Sequence, residues 1–365
     1  MGSSNTFHAN LILAINPRIP YTNIGLFRNQ QLVFLKKIVH PEEDLKRFTR
    51  YADETGFRTE QIYTDMVANH LPVEDIKVVI SRGGLVKPVQ AGVYRVNEAM
   101  LKDLRSGIAG EDVVNLGGLI ADGLSRKIRG SSAYVADPVV VDEFDDLARV
   151  SGHAEFHRRS VFHALEQKAV ARKYARTVQK KYEDLNLIVA QMGNGITVGA
   201  HSRGRVIDAN QGLDGDGPFS PARAGQVPMG DLVKLCYSGK FSQEQIINML
   251  RNEGGLYSHL GVNDGYSADQ MAIGGDEKAI FYLRAMAYQV AKTIGSMYCV
   301  LSGEVDAVLL SGGMVHSTIF MDELQGRIDK IAPVHAFPSE DDVDTLAANG
   351  YYILKGDITV QEYPA

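Results

Sequence analysis

Between Gln191 and Pro228 the chain reads QMGNGITVGAHSRGRVIDANQGLDGDGPFSPARAGQVP, a set of residue types suited to phosphate chemistry. An apolar run, Leu187 to Ala190, stops at Gly193-Asn194-Gly195. A second run, Ile196 to Ala200, turns at Ser202-Arg203-Gly204 into a third, Arg205 to Ile207. A glycine turn between strands offers bare backbone N–H groups to an anion, because no side chain blocks the approach. Three acids (Asp208, Asp214, Asp216) and one arginine, Arg223, follow in a loop rich in Gly and Pro. Carboxylates that hold a hydrated magnesium ion and an arginine that neutralises phosphate are the parts phosphoryl transfer needs. The plainer reading of the same residues is a glycine-rich hairpin with solvated acids.

The elements that must position this stretch have a counterpart near the N-terminus. Leu11 to Ile15 runs into Asn16-Pro17; the chain resumes at Ile24 to Phe27, turns at Arg28-Asn29-Gln30 and continues from Gln31 to Lys36. Both copies read strand, phosphate-sized loop, strand, polar turn, strand. Repetition of one α/β unit at about half the chain length predicts two similar domains facing a cleft. The remaining pattern predicts strands at Ile76–Ile80, Ala133–Val135 and Val305–Leu310. It predicts helices at Asn97–Ser106, Leu116–Ile128, Arg158–Lys181, Met229–Tyr237, Ser242–Asn252 and Lys278–Leu301. Ser242 with Gln245 reads as a capping box.

The chain has 365 residues, enough for two domains with full cores. Its 45% hydrophobic and 22% charged content is that of an ordinary globular protein, and its net charge of −6 argues against nucleic acid as the main partner. Cys236 and Cys299 make neither a metal spacing nor a disulfide framework, which fits a reducing compartment. The first ten residues lack the pattern of a signal peptide, the match of Met1-Gly2 and Thr6 to a myristoylation pattern is read as chance, and no apolar run suits a membrane span. The expectation is a cytoplasmic protein without membrane association.

Several longer segments resemble the butyrate kinase and branched-chain fatty acid kinase family, which belongs with the acetate kinases to the actin, sugar kinase and heat-shock-protein superfamily. The resemblance runs nearly end to end. It is densest in ISRGGLVKPV (Ile80–Val89), ADPVVVDEF (Ala136–Phe144), RRSVFHAL (Arg158–Leu165), GNGITVGAHSRGRVIDAN (Gly193–Asn210), LDGDGPFSPARAG (Leu213–Gly225) and VDAVLLSGGMVHS (Val305–Ser317). It implies two duplicated ribonuclease H-like (actin-like ATPase) α/β domains with a central cleft, at about 8–183 and 184–350, with a last helix at about 351–365 packing back on the first. It also implies ATP- and magnesium-dependent phosphorylation of a short-chain carboxylate to an acyl phosphate, and a homodimer. The helix Lys278–Leu301 offers Met286, Tyr288, Met297 and Tyr298 as an apolar stripe for core or interface.

The resemblance assigns roles residue by residue. Arg82 matches a substrate-side arginine that can bind carboxylate or phosphoryl oxygens bidentately. Arg223 matches the arginine of the acetate kinase loop T-R-S-G, and His163 the F-H-G histidine that hydrogen-bonds the phosphoryl group. Asp137 matches an aspartate near metal and substrate, and is the candidate metal ligand. Asn16 lies in the first phosphate loop, and Gly193, Asn194 and Gly195 match the second. Gly312 and Gly313 match the adenosine loop, while Asn263 and Asp264 fall where the family touches the adenine or ribose end.

The chain also departs from the pattern. The family's N-P-G-S-T-S-T-K is here Asn16 to Asn23 (NPRIPYTN): a glycine and two small hydroxyls are replaced by Arg18, Ile19 and Tyr21, and Asn23 stands in place of the lysine. H-A-S-N-L-G becomes Asp112 to Gly117 (DVVNLG), D-A-R becomes Asp264-Gly265-Tyr266, and Gln191 replaces a histidine before the second phosphate loop. Two readings follow: a working short-chain acyl kinase with altered preference, or a degenerate paralogue that binds ligand or pairs with an active kinase. A sugar kinase of the same superfamily is the distant third. Which acid is used stays open at this level.

Overall fold

The computed structural model describes residues 10–338 and 342–365. The readings made at residues 1–9, a missing leader and a chance lipidation match, lie outside the described residues. Among the described residues twelve strands are formed: β1 (Leu11–Pro17), β2 (Tyr21–Arg28), β3 (Gln31–Val39), β4 (Ile76–Arg82), β5 (Val93–Arg95), β6 (Ser132–Ala136), β7 (Asn186–Met192), β8 (Ile196–Ser202), β9 (Arg205–Ala209), β10 (Ala307–Ser311), β11 (Val334–Phe337) and β12 (Val360–Glu362). The chain divides into two compact units, one running to Val141 and resuming with the C-terminal segment from Asp341, the other spanning Asp142–Glu340.

The first unit carries a seven-stranded sheet in the order β12-β5-β6-β4-β1-β2-β3. Residues Leu11 to Ile15 are apolar without alternation because β1 is central and covered on both faces, and all five are fully buried. One face packs on helices Thr55–Ala68 and Leu116–Lys127. The other receives helix Val343–Lys355, where a β-carbon on Gly350 would lie 2.5 Å from Ile12; glycine permits that approach. The expected last helix at about 351–365 is therefore this earlier one. It stops at Gly356 (φ 74°), and Val360–Glu362 beyond it pair as β12 with β5.

The second unit has a five-stranded sheet, β11-β10-β7-β8-β9. The predicted echo is present strand for strand. β1 is antiparallel to β2 and parallel to β4, as β7 is antiparallel to β8 and parallel to β10. The third strands, β3 and β9, pair antiparallel with the second in both units, each with a register irregularity. Helix Glu277–Val300 fills one face with Leu283, Met286, Val290 and Ile294. Of its expected apolar stripe, Met286 and Met297 belong to the core, and only Tyr288 is exposed.

Helix 158–181 is shorter than expected, Ala164–Thr177, because Arg158 is drawn into ion pairs before it. Its Val170, Ala171, Tyr174 and Ala175 pack on Leu187, Val189, Ala307 and Leu309, so this helix lies in the second unit, whereas a boundary at 183/184 assigns it to the first.

Candidate functional site

In the first unit, parallel pairing sets Ile15 beside Ser81 and Arg82 beside Ala136. Asn16, Arg82 and Asp137 therefore leave the same edge of the sheet, one from each of three adjacent strands. Asp137 sits at φ 34°, a region few non-glycine residues adopt. It is pinned there by Gly92: the Gly92 N–H donates to Asp137 Oδ1 at 2.8 Å, and the Asp137 N–H donates to the Gly92 carbonyl at 2.9 Å. Gly83, after Arg82, has no room for a β-carbon, which would fall 2.6 Å from the Pro138 ring.

A residue absent from the sequence reading joins this edge. Asp342, buried just before helix Val343–Lys355, accepts from Asn16 Nδ2 at 3.0 Å and from Arg18 Nη2 at 3.0 Å, with Arg82 Nη1 at 3.4 Å. Two candidate ligand-binding groups and the arginine of the altered loop thus share one internal carboxylate. Its partners lie 260 and more positions away, so only the acid run around it was visible in the sequence.

The altered loop itself is held from behind. The buried Arg58 donates from Nη1 to the carbonyls of Arg18 (2.9 Å) and Tyr21 (3.4 Å) and to Thr22 Oγ1 (3.3 Å). Thr22 Oγ1 also meets His40 Nε2 at 2.8 Å. Burial, with Arg58 beside it, lowers the His40 imidazole from 6.5 to about 4, against the raising effect of Gln61.

In the second unit, the Gly193-Asn194-Gly195 turn joins β7 to β8, with Asn194 exposed. Arg223 lies directly against it: a β-carbon on Gly195 would fall 2.3 Å from Arg223 Nη1. Arg223 Nη1 donates to the Gly212 carbonyl. Its loop is stitched to the turn by Ser220 Oγ and the Ala222 N–H, which both donate to the Asn194 carbonyl. The arginine and the glycine turn singled out in the sequence are thus one local structure. Asn210, Gly212, Ser220 and Arg223 line a small cavity beside it, about 10 Å3, room for a single water.

His163 is not inside a helix but at the N-cap of Ala164–Thr177, with Nδ1 2.8 Å from Thr197 Oγ1 of β8. Gly312 (φ 92°) passes so close to Met192 that a β-carbon would lie 2.3 Å from its carbonyl oxygen. Gly265 packs on Met314, which brings the loop of Asn263 and Asp264 beside Gly312-Gly313. Asp264 is the N-cap of helix Gly265–Ile273, accepting from the Ser267 N–H at 2.7 Å.

The three acids that opened the magnesium reading are occupied otherwise. Asp208 pairs with Arg158 at 2.8 Å, Asp216 with the same arginine at 3.2 Å, and Asp214 with Arg251 Nε at 2.9 Å. Burial raises the Asp208 carboxyl, with Arg158 opposing. These acids tie the loop together. Among the described residues no group of three or more His, Cys, Asp or Glu is placed to hold a metal. Asp112, where a histidine was expected, caps a local turn by accepting from the Val114 N–H at 3.0 Å. Among the described residues no helix is long and apolar enough to cross a membrane.

Residues 151–332 match the sequence profile of the Acetokinase family. The fold is that of acetate kinase from Porphyromonas gingivalis (TM-score 0.74, 14% identity, 95% of this chain and 100% of that one). It is equally that of a propionate kinase from Francisella tularensis (TM-score 0.74, 16% identity, 93% and 98%). The acetate kinase of Entamoeba histolytica follows at TM-score 0.71, 14% identity, 95% and 99%. At these identities the likeness is one of fold. Over residues 151–332, just under half of its length, this chain is similar to the acetokinase family.

Proposed function

We propose that the protein transfers the terminal phosphoryl group of ATP to a short-chain carboxylate, butyrate or a branched-chain acid, giving an acyl phosphate, and runs the reverse. The observation that carries this reading is Arg223 lying against the open Gly195 turn, inside the segment that matches acetokinase sequence. A carboxylate is already ionised near neutral pH and needs no general base. The protein has instead to hold two anions in line and stabilise the charge on the group in transfer. Arg223 supplies the cation and the Gly193–Gly195 turn the bare backbone, while His163 hydrogen-bonds the phosphoryl group. Arg82 and Asn16 are assigned to the carboxylate and phosphate side; Asn263, Asp264, Gly312 and Gly313 are assigned to the nucleoside. Magnesium neutralises nucleotide phosphates when bound, and Asp137 would hold it. A single carboxylate suits this ion, which keeps several waters and takes phosphate oxygens as ligands. Cytoplasmic placement and a homodimer belong to the same proposal. The test is hydroxamate trapping of acyl phosphate across a panel of short-chain acids, with ATP and magnesium; no product with any acid sinks the reading.

A second reading, a paralogue with weak or no turnover, is favoured by one observation: Asp342 takes up Asn16, Arg18 and Arg82, groups that an anionic ligand would otherwise use.

A further inference from the structure

Behind His163 a file of buried side chains runs through the second unit. Its hydrogen bonds have only one consistent direction. The amide nitrogen of Gln167 donates to the Thr197 carbonyl at 3.1 Å, which fixes the orientation of that amide. Gln167 Oε1 is then an acceptor, and the ring nitrogen facing it, His201 Nε2 at 3.0 Å, carries a proton. His201 is fully buried beside Lys168 and Arg172, and burial and those charges keep it neutral, so its Nδ1 accepts from the Tyr182 hydroxyl at 2.7 Å.

At the other end, Thr197 Oγ1 receives two donors, Gln167 Nε2 at 2.9 Å and the His163 backbone N–H at 3.3 Å. A hydroxyl has two acceptor positions and one proton to give. Both acceptor positions are filled, so its proton points to His163 Nδ1, 2.8 Å away. That nitrogen must be the unprotonated one, and the ring proton of neutral His163 resides on Nε2. Protonating Nδ1 would aim three donors at one oxygen. Thr197, Gln167 and His201 are all completely buried. Gly199 leaves the space they need, since a β-carbon there would lie 2.4 Å from Gln167 Oε1.

We propose that Thr197, Gln167 and His201 are positioning residues that lock His163 as a neutral Nε2–H donor. This rests on the reading of His163 as the phosphoryl-binding histidine. The locked tautomer gives a phosphoryl oxygen a donor of fixed direction, and the ordering is completed before substrate arrives. Thr197 is the link that can be cut with least disturbance, because valine has its shape without its hydroxyl.

The experiment uses the full chain labelled with 15N-histidine. The ring signals of His163 are assigned by their loss in His163→Asn, and its tautomer is read from long-range 15N–1H correlations at neutral pH. The expected result is an Nε2–H tautomer in the native chain and in Thr197→Ser, and a tautomer mixture or imidazolium in Thr197→Val. Thr197→Val should also lose roughly tenfold in kcat with KM for both substrates within about twofold, and Thr197→Ser should restore it. A native His163 protonated on Nδ1, or a tautomer unchanged in Thr197→Val, overturns the proposal; the native measurement stands even if the valine variant fails to fold. The spectra need no turnover, so a chain that makes no acyl phosphate but shows the Thr197-dependent tautomer upholds the positioning file and defeats only the kinase reading.

Discussion

The turn from Pro17 to Tyr21 and the turn from Met192 to Ile196 occupy equivalent places in two equivalent sheets, yet they are built oppositely. In the second unit the turn is glycine and bare backbone, with an arginine from a separate loop laid against it. In the first unit every position of the turn carries a side chain, with Ile19 and Pro20 exposed. Its carbonyls are taken by Arg58 from behind, and its cation, Arg18, is taken by Asp342. The first turn is also backed by a buried histidine, His40, held neutral by burial and the nearby Arg58. The frame persists because it is made by buried strand pairing; turn chemistry is free to change without disturbing it. An anion site therefore has to be judged turn by turn, since sharing the frame does not confer it.

The largest expected effect tests the open turn. Arg223→Ala should lower kcat by roughly 10²–10³-fold, as for loss of a donor that stabilises developing charge, with little change in unfolding midpoint. A loss under threefold in the hydroxamate assay would remove Arg223 from the chemistry.

Next is the support behind the filled turn. His40 titrates near 4 in the folded chain and near 6.5 when unfolded, so the unfolded chain takes up the proton first on acidification. Its contribution, about 3 kcal/mol, is present above pH 6.5 and is lost as the pH falls toward 4. Urea midpoints measured from pH 7 to 4 should fall along this limb and fall less steeply in His40→Gln. Equal slopes in both proteins would show that the imidazole is not held neutral.

Asp342→Asn should destabilise the first unit by about 2 kcal/mol, because it removes a negative charge paired with the buried Arg82 and the half-buried Arg18. If it instead raises turnover at unchanged stability, Asp342 competes with ligand and the weakly active reading gains.

The smallest effect is expected from rebuilding the filled turn as Gly-Ser-Thr-Ser-Thr-Lys at positions 18–23. A gain of about tenfold in kcat/KM for ATP is expected, the size of one charge-assisted contact. Undetectable turnover in the native chain together with strong recovery on rebuilding would establish a degenerate site.

Local signals were legible wherever neighbours in sequence determine structure. The capping box of Ser242 and Gln245 forms as its spacing indicates, with both reciprocal hydrogen bonds made. The repeated strand-turn-strand pattern appears in both sheets, its uninterrupted apolar runs Leu11–Ile15 and Leu187–Ala190 buried as interior strands. The extents of helices were less legible. Periodicity from Arg158 onward looks helical, but Asp208 and Asp216, some fifty positions on, recruit Arg158 before the helix begins. The acids of the 208–216 stretch misled for the same reason. A carboxylate free to bind metal and one ion-paired to a distant arginine are identical in one dimension.

What the sequence determined by itself was the duplicated α/β frame and the identity of the glycine turns, since both follow from hydrophobic runs and from where side chains are missing. It also supplied Arg223, His163, Arg82 and Asp137 as types at turns and strand ends. Only the tertiary structure decided which charges meet. It laid Arg223 on Gly195 and gave Asp342 to Asn16, Arg18 and Arg82. It also joined Tyr182, His201, Gln167, Thr197 and His163 into one file. Hydrogen bonds and ion pairs depend on contacts of a few ångströms between residues far apart in the chain, and those contacts exist only once the strands have set their register.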